Sequence, residues 1–164
     1  DTARYYESVR LLNEYFPDCA VTTDMIVGFP GESEEDFEAT RSLMDEAGFD
    51  NAFIFKYSPR PGTRSAKLPD DVAKEEKERR DQVLLADQEL RGQKRNDRLV
   101  GTVREVLFEG PSKRKADRFS GRDGGNRIVV WDKPENCSSA PAPGDKVKLE
   151  ILQAHPQILI GRPV

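Results

Sequence analysis

Histidine, cysteine and tryptophan are scarce here: one His, two Cys and one Trp in 164 residues. Cys19 and Cys137 stand far apart, neither in a CxxC-type pair, and His155 is alone. A clustered Cys/His metal site within this chain is therefore excluded. The two cysteines read as reduced thiols of a cytoplasmic protein. Long apolar runs are missing as well. No stretch nears the ~20 residues that a membrane span needs, and the opening "DTARYYESVR" has no signal-peptide character. The sequence opens without Met on what reads as mid-helix, so a piece of a longer protein is expected.

What is present is charge, 34% of residues against 36% hydrophobic. That suits a highly charged surface over a modest core, in one ordinary domain or two small ones. The formal net charge of -4 is unevenly spread. Residues 1–97 hold 14 basic and 22 acidic side chains, whereas residues 98–164 hold 12 and 8. Two modules with different partners are expected, the second able to approach polyanions.

Tyr5, Val9, Leu12 and Phe16 recur at helical spacing over residues 3–16, and Pro17 ends the run. "CAVTTDMIVGF" reads as a buried strand. Ser33 is an N-cap with Asp36 three residues on, a capping-box spacing. The helix from about Glu34 to Ala47 should bury Phe37, Leu43, Met44 and Ala47 and stop at Gly48. "NAFIFKYS" is a second strand. A crossover of more than ~12 residues makes this a βαβ unit with parallel strands. Two strands cannot complete a barrel or a doubly wound sheet, which again points to further sequence upstream.

"SPRPGTRSAKLPDD" is a Pro/Gly loop. Asp71 to about Asp97 reads as a continuous helix with charge nearly all round. Its thin apolar stripe of Val83, Leu84 and Leu90 suits a largely solvated linking helix. From Leu99 the pattern changes to five short strands, "LVGTVREVLFEG", "DRFSGRD", "NRIVVWD", "DKVKLEIL" and "QILIGRP", as in a small antiparallel barrel. The expected boundaries are 1–70, a helix over 71–97, and 98–164.

Lys113, Arg114, Lys115, Arg118, Arg122 and Arg127 gather around the first two connections of that barrel, with Phe108, Phe119 and Trp131 among or beside them. Cations that meet phosphates and aromatics that stack on bases make a single-stranded RNA surface. The same residues also suit a solvated face over an aromatic core, with Phe108 and Trp131 pointing inward. The carboxylates of "SEEDFE" and "KEEKER" are helix-start and solvated charges rather than acid–base pairs. At "DMIVGFPGE", Glu34, Glu35 and Asp36 fill the first turn of the following helix, which opposes anion capture there.

"VLFEGPSKRKADRFSGRDGGNRIVVW" carries EGxS, a basic stretch, a GR pair, an Asn and an apolar strand. It resembles the start of the TRAM domain of MiaB-type tRNA methylthiotransferases. "DMIVGFPGESEEDFEAT" and "YSPRPGT" resemble the last part of the radical-SAM barrel of the same family. The resemblance covers essentially the whole chain, in order. It implies an α/β partial-barrel fragment followed by an OB-like, five-stranded antiparallel TRAM barrel. The implied activity is methylthiolation of carbon 2 of N6-isopentenyladenosine next to the anticodon. A sister enzyme acting on threonylcarbamoyl-adenosine or on a ribosomal protein stays open, as does a non-catalytic RNA-binding module.

The family uses S-adenosylmethionine and two 4Fe-4S clusters, each held by three cysteines. The CxxxCxxC run is absent here, so no cluster, no metal ligand and no catalytic residue is expected on this chain, which should be inactive alone. The resemblance places Ile26, Val27 and Gly28, at one strand end, at the S-adenosylmethionine wall; Tyr57, Ser58, Arg60 and Thr63 occupy the next loop on the same barrel face, where Tyr57 and Arg60 are cofactor-binding candidates and Arg60 suits a carboxylate or the RNA. The implied partner is a tRNA anticodon arm. A cytoplasmic monomer is expected, with the truncated sheet edge as a route to dimers.

Overall fold

The computed structural model describes residues 2–16, 19–133 and 140–164. Pro17, the expected helix stop, and Cys137 lie outside the described residues. The chain divides into two compact units, Asp1–Leu12 with Val21–Arg91, and Asn13–Ala20 with Gly92–Val164.

The first unit holds most of α1 (Thr2–Tyr15), β1 (Thr22–Val27), α2 (Glu34–Ala47), β2 (Asn51–Lys56), a 3-10 turn at Ser65–Lys67 and most of α3 (Lys74–Asp97). β1 and β2 pair in parallel, from Thr22 opposite Asn51 to Val27 opposite Lys56, as the helical crossover requires. α2 starts at the capping box read from the sequence: the Asp36 N–H donates to Ser33 Oγ (3.1 Å), and the Ser33 N–H donates to Asp36 Oδ2 (3.0 Å). It ends at Gly48, whose φ of 61° is the left-handed cap that glycine takes without strain.

Strand alternation sorts the sheet into two faces. One packs Val27 and Ala52, with Met25 and Ile54, against Val9, Phe37, Met44, Ala47, Phe49 and Leu84. The other presents Ile26, Phe53 and Phe55, each about half exposed (54%, 51% and 53%). The α1 stripe is thinner than expected, because only Val9 is buried and Tyr5, Leu12 and Phe16 stay exposed.

The expectation of a largely solvated α3 needs correction. Its first half buries Lys77, Arg80 and Asp81 beside Leu84, while Leu90 is exposed. Arg41 Nε donates to Asp87 Oδ2 (2.8 Å) and Arg91 Nε to Asp45 Oδ1 (2.6 Å), so α2 and α3 are joined by ion pairs along their contact. Charge at every position concealed a face that packs through paired charges.

The second unit is a closed barrel of β3 (Val103–Pro111), β4 (Arg118–Asp123), β5 (Ile128–Asp132), β6 (Lys146–Ala154) and β7 (Ile158–Pro163), in the order β3-β4-β5-β7-β6. All neighbours are antiparallel except β5 and β7, which pair in parallel from Ile128 opposite Ile158. The purely antiparallel barrel expected from the sequence is corrected by closure. Five strands in a ring cannot alternate direction all the way round, so at least one pair must be parallel. The inward residues Val106, Phe108, Phe119, Val129, Trp131, Leu149, Ile151 and Leu159 form one core. Gly121 belongs here for packing, since a Cβ would collide with the Leu107 carbonyl oxygen and the Val106 side chain.

Candidate nucleic-acid interface and cofactor wall

The barrel's aromatics face inward. Phe108, Phe119 and Trp131 meet edge to face, with centroids 4.8, 5.7 and 5.9 Å apart. Phe119 was expected to stack on bases. It is instead 8% exposed in the core, with Lys133 Nζ 5.6 Å from its ring centroid, and is corrected to a core residue.

Three of the six expected cations are also occupied within the barrel. Arg118 Nε donates to Asp132 Oδ1 (2.9 Å) across β4 and β5. Arg122 donates to Glu109 Oε1 (3.1 Å) and, through Nη1, to both the carbonyl (3.0 Å) and the Oδ1 (3.1 Å) of Asn126. Asn126 has a φ of 59°, a left-handed conformation that its short amide tolerates in a turn. Arg127 Nη1 lies 3.4 Å from Asp123 Oδ2, and Arg104 Nε at the same distance. The Asp123 side chain is 1% exposed and its Oδ1 accepts the N–H groups of Gly125 (3.0 Å) and Arg127 (2.9 Å). These arginines therefore build the β4–β5 hairpin.

Lys113, Arg114 and Lys115 are different. They are exposed in the β3–β4 connection, and among the described residues none of their side chains has an ion-pair partner. The connection is closed at its base, where the Ser112 N–H donates to the Arg118 carbonyl (2.8 Å) and the Arg118 N–H to the Lys115 carbonyl (3.1 Å). Three adjacent solvated cations on an anchored loop have the chemistry to contact consecutive phosphates.

In the first unit, the strand ends bring together only part of the expected wall. Ile26 is exposed on the uncovered face of the sheet, but the Val27 side chain is wholly buried in the core. The Val27 carbonyl accepts the Tyr57 N–H (2.8 Å), which ties the ends of β1 and β2 together. Gly28 has a φ of 70°, and a Cβ there would collide with the Lys77 side chain. The close approach that glycine permits at this position is thus made by Lys77. Tyr57 is buried against Phe29 (centroids 5.2 Å apart), with Lys77 Nζ 5.2 Å from its ring centroid. Its hydroxyl is buried and has no hydrogen-bond partner among the described residues. Arg60 is exposed in a loop closed by Thr63, whose Oγ1 donates to the Arg60 carbonyl (2.8 Å). Next to Tyr57 lies a surface recess of about 640 Å³, lined also by Lys56, Ser58, Asp70, Lys77 and Glu78. Lys56 pairs with Glu78, and Lys77 with Asp70.

Residues 97–164 match the TRAM domain family. The chain carries a TRAM domain. It is also 42% identical over 161 residues to the tRNA-2-methylthio-N(6)-dimethylallyladenosine synthase of Herminiimonas arsenicoxydans, covering 98% of this chain and 36% of that protein. The synthase of the same name from Chlorobium phaeobacteroides strain BS1 is 44% identical over 160 residues, 97% of this chain and 35% of the relative. That of Coxiella burnetii strain Dugway 5J108-111 is 40% identical over 157 residues, with 96% and 35% covered. The chain is similar to these synthases over nearly its whole length and spans about a third of theirs.

Within the TRAM domain, the GR pair and the Asn of the sequence pattern have a structural account. Gly121 lets two barrel strands approach, and Arg122 holds Asn126 in its turn. Sequence reading missed Arg80 and Glu32, the most buried ion pair of the first unit, at 5% and 10% side-chain exposure. No periodicity signals them, because Arg80 sits among six other charges in "KEEKERR" and its carboxylate partner comes from 48 residues upstream.

Proposed function

We propose that the chain is the C-terminal part of a tRNA-modifying enzyme that methylthiolates carbon 2 of N6-isopentenyladenosine next to the anticodon. The observation that carries this is the similarity of nearly the entire chain to synthases whose name states that product. In this reading the TRAM domain grips the tRNA through Lys113, Arg114 and Lys115. Arg118, Arg122 and Arg127 serve first to build the fold around that loop. The first unit supplies one wall of an S-adenosylmethionine site in a larger radical-SAM barrel. Ile26, Phe53 and Phe55 would then face the barrel interior, which accounts for a half-exposed apolar sheet face.

The residues present fit the two implied cofactors differently. Among the described residues no three His, Cys, Asp or Glu side chains come together to hold a metal ion, and Cys19 is exposed and alone. Among the described residues the 4Fe-4S clusters therefore have no ligand set. S-adenosylmethionine fits better, because the buried Tyr57 hydroxyl has no hydrogen-bond partner among the described residues and Ile26 offers an exposed apolar surface near the end of β1. When bound, it supplies the methyl group and the 5′-deoxyadenosyl radical of this chemistry. The chain's own part is to shape the strand ends and hold the RNA.

The test is nucleoside analysis of total tRNA by mass spectrometry after deletion of the gene. The 2-methylthio derivative of N6-isopentenyladenosine should vanish and return on complementation. Loss of a 2-methylthio threonylcarbamoyl-adenosine instead would assign the sister activity, and an unchanged nucleoside profile would refute the enzyme reading.

A further inference from the structure

We propose that Arg80 is a positioning residue for the cofactor wall, acting through Glu32 on the ends of β1 and β2. This rests on the reading of that wall as an S-adenosylmethionine site.

The Arg80 guanidinium is the most completely used cation of the first unit. Its Nη1 donates to the Glu32 carbonyl oxygen (2.9 Å) and to Glu32 Oε2 (2.7 Å), closing on main chain and side chain of one residue. Its Nε donates to Glu76 Oε1 (2.8 Å) and its Nη2 to Glu34 Oε2 (3.3 Å). The Phe37 ring lies 5.4 Å away, adding a cation–π contact. Glu32 Oε2 also accepts the N–H of Gly28 (2.5 Å). The same carboxylate oxygen therefore joins α3 to the residue that follows β1.

From Gly28 the connection continues. The preceding residue, Val27, accepts the Tyr57 N–H, so the orientation of the unpartnered Tyr57 hydroxyl depends on where the end of β1 is held. A salt bridge on the surface would not have this effect, since exposed pairs constrain little. Here the two side chains are only 5% and 10% exposed, and removing Arg80 leaves the Glu32 carboxylate without its cation, whereas Arg80 without Glu32 still meets Glu76 and Glu34. Lysine would keep the charge but lose the fork whose three nitrogens reach Glu32, Glu34 and Glu76 at once. No other side chain in the turn does this work: Gly31 donates its N–H to Asp71 Oδ1 (2.8 Å), and Ser33 is engaged with Asp36.

The experiment uses the full-length protein carrying Arg80→Lys, Arg80→Gln or Glu32→Gln, with Tyr57→Phe and Ile26→Ser as reporters of the wall itself. Four quantities are measured below each variant's unfolding midpoint: S-adenosylmethionine affinity by equilibrium dialysis, tRNA affinity, the midpoint, and deuterium uptake of the peptide over residues 26–33. Misplacing a contact by ~1 Å can cost up to about a hundredfold, so Arg80→Gln should weaken S-adenosylmethionine binding by about tenfold or more. tRNA affinity should hold within about twofold. Arg80→Lys, the milder change and the one more certain to fold, should raise deuterium uptake at Gly28 and weaken binding in the same direction. If the Arg80 and Glu32 variants lower the midpoint yet bind S-adenosylmethionine as wild type does, while Tyr57→Phe or Ile26→Ser weakens it, Arg80 is only structural and the inference fails. If Tyr57→Phe and Ile26→Ser leave affinity unchanged, the reading of the wall fails instead.

Discussion

Replacing Lys113, Arg114 and Lys115 together by alanine removes three adjacent cations that lack a carboxylate partner among the described residues. Each cation that meets a phosphate releases condensed counterions, which contributes about 0.7 to the slope of log affinity against log salt for single-stranded RNA. Three such contacts give a slope change of about 2, so a fourfold rise in salt should cost wild type roughly fifteen- to twentyfold more than the variant. Arg118→Ala is the comparison. Its guanidinium already bonds Asp132 at 2.9 Å, so a phosphate must compete with an existing ion pair, and its slope change should be well under the roughly 0.7 of one full contact. The assay is fluorescence anisotropy of a labelled tRNA anticodon stem-loop titrated over a range of potassium chloride concentrations. An unchanged slope in the triple variant would refute the argument, as would an equal loss in Arg118→Ala.

Three further outcomes bear on the fold. Trp131→Ala empties the centre of the aromatic triad at a site 1% exposed, and should cost about 3–5 kcal/mol in urea unfolding; a loss under about 1 kcal/mol would contradict the packing described. Ser33→Ala removes the α2 cap and should cost about 1 kcal/mol, whereas Ser33→Asp should cost much less. The hydrogen bond from Arg79, with a second from Arg80, holds the Glu76 carboxyl down to about 2, against 4.5 ordinarily. Because the folded value is the lower one, the stabilisation is complete above about pH 4.5 and is lost as pH falls toward 2. Denaturant midpoints measured across that window should fall, and Glu76→Gln should flatten the decline.

Local features were legible because local rules decide them. The Ser33–Asp36 spacing, the Gly48 stop and the parallel β1–β2 pair each follow from contacts within one element or from crossover length. The five barrel strands were legible from turn residues and alternation, but their ring order was not. The β5–β7 pairing joins segments separated by β6, and only closure of the ring requires it. Site residues divided in the same way. A run of basic residues shows that cations are present, but not which of them meet a carboxylate across a strand, as Arg118 does with Asp132 and Arg122 with Glu109. Phe119 was misjudged because a strand's inward face is set by register, and one residue's shift exchanges core for solvent. Arg80 was hidden within a helix whose charges suggested solvation, and its partner Glu32 lies in another element.

We propose that this chain belongs to an enzyme that methylthiolates tRNA and that the TRAM domain supplies the grip. The direct measurement is anaerobic reconstitution of the full-length protein with S-adenosylmethionine, a sulfur source and tRNA bearing N6-isopentenyladenosine, followed by mass spectrometry of the digested nucleosides. Wild type should yield the 2-methylthio product. The Lys113, Arg114 and Lys115 triple variant should need a higher tRNA concentration for the same yield at physiological salt. Absence of the product from a cluster-loaded protein, or a triple variant with an unchanged tRNA requirement, would contradict it.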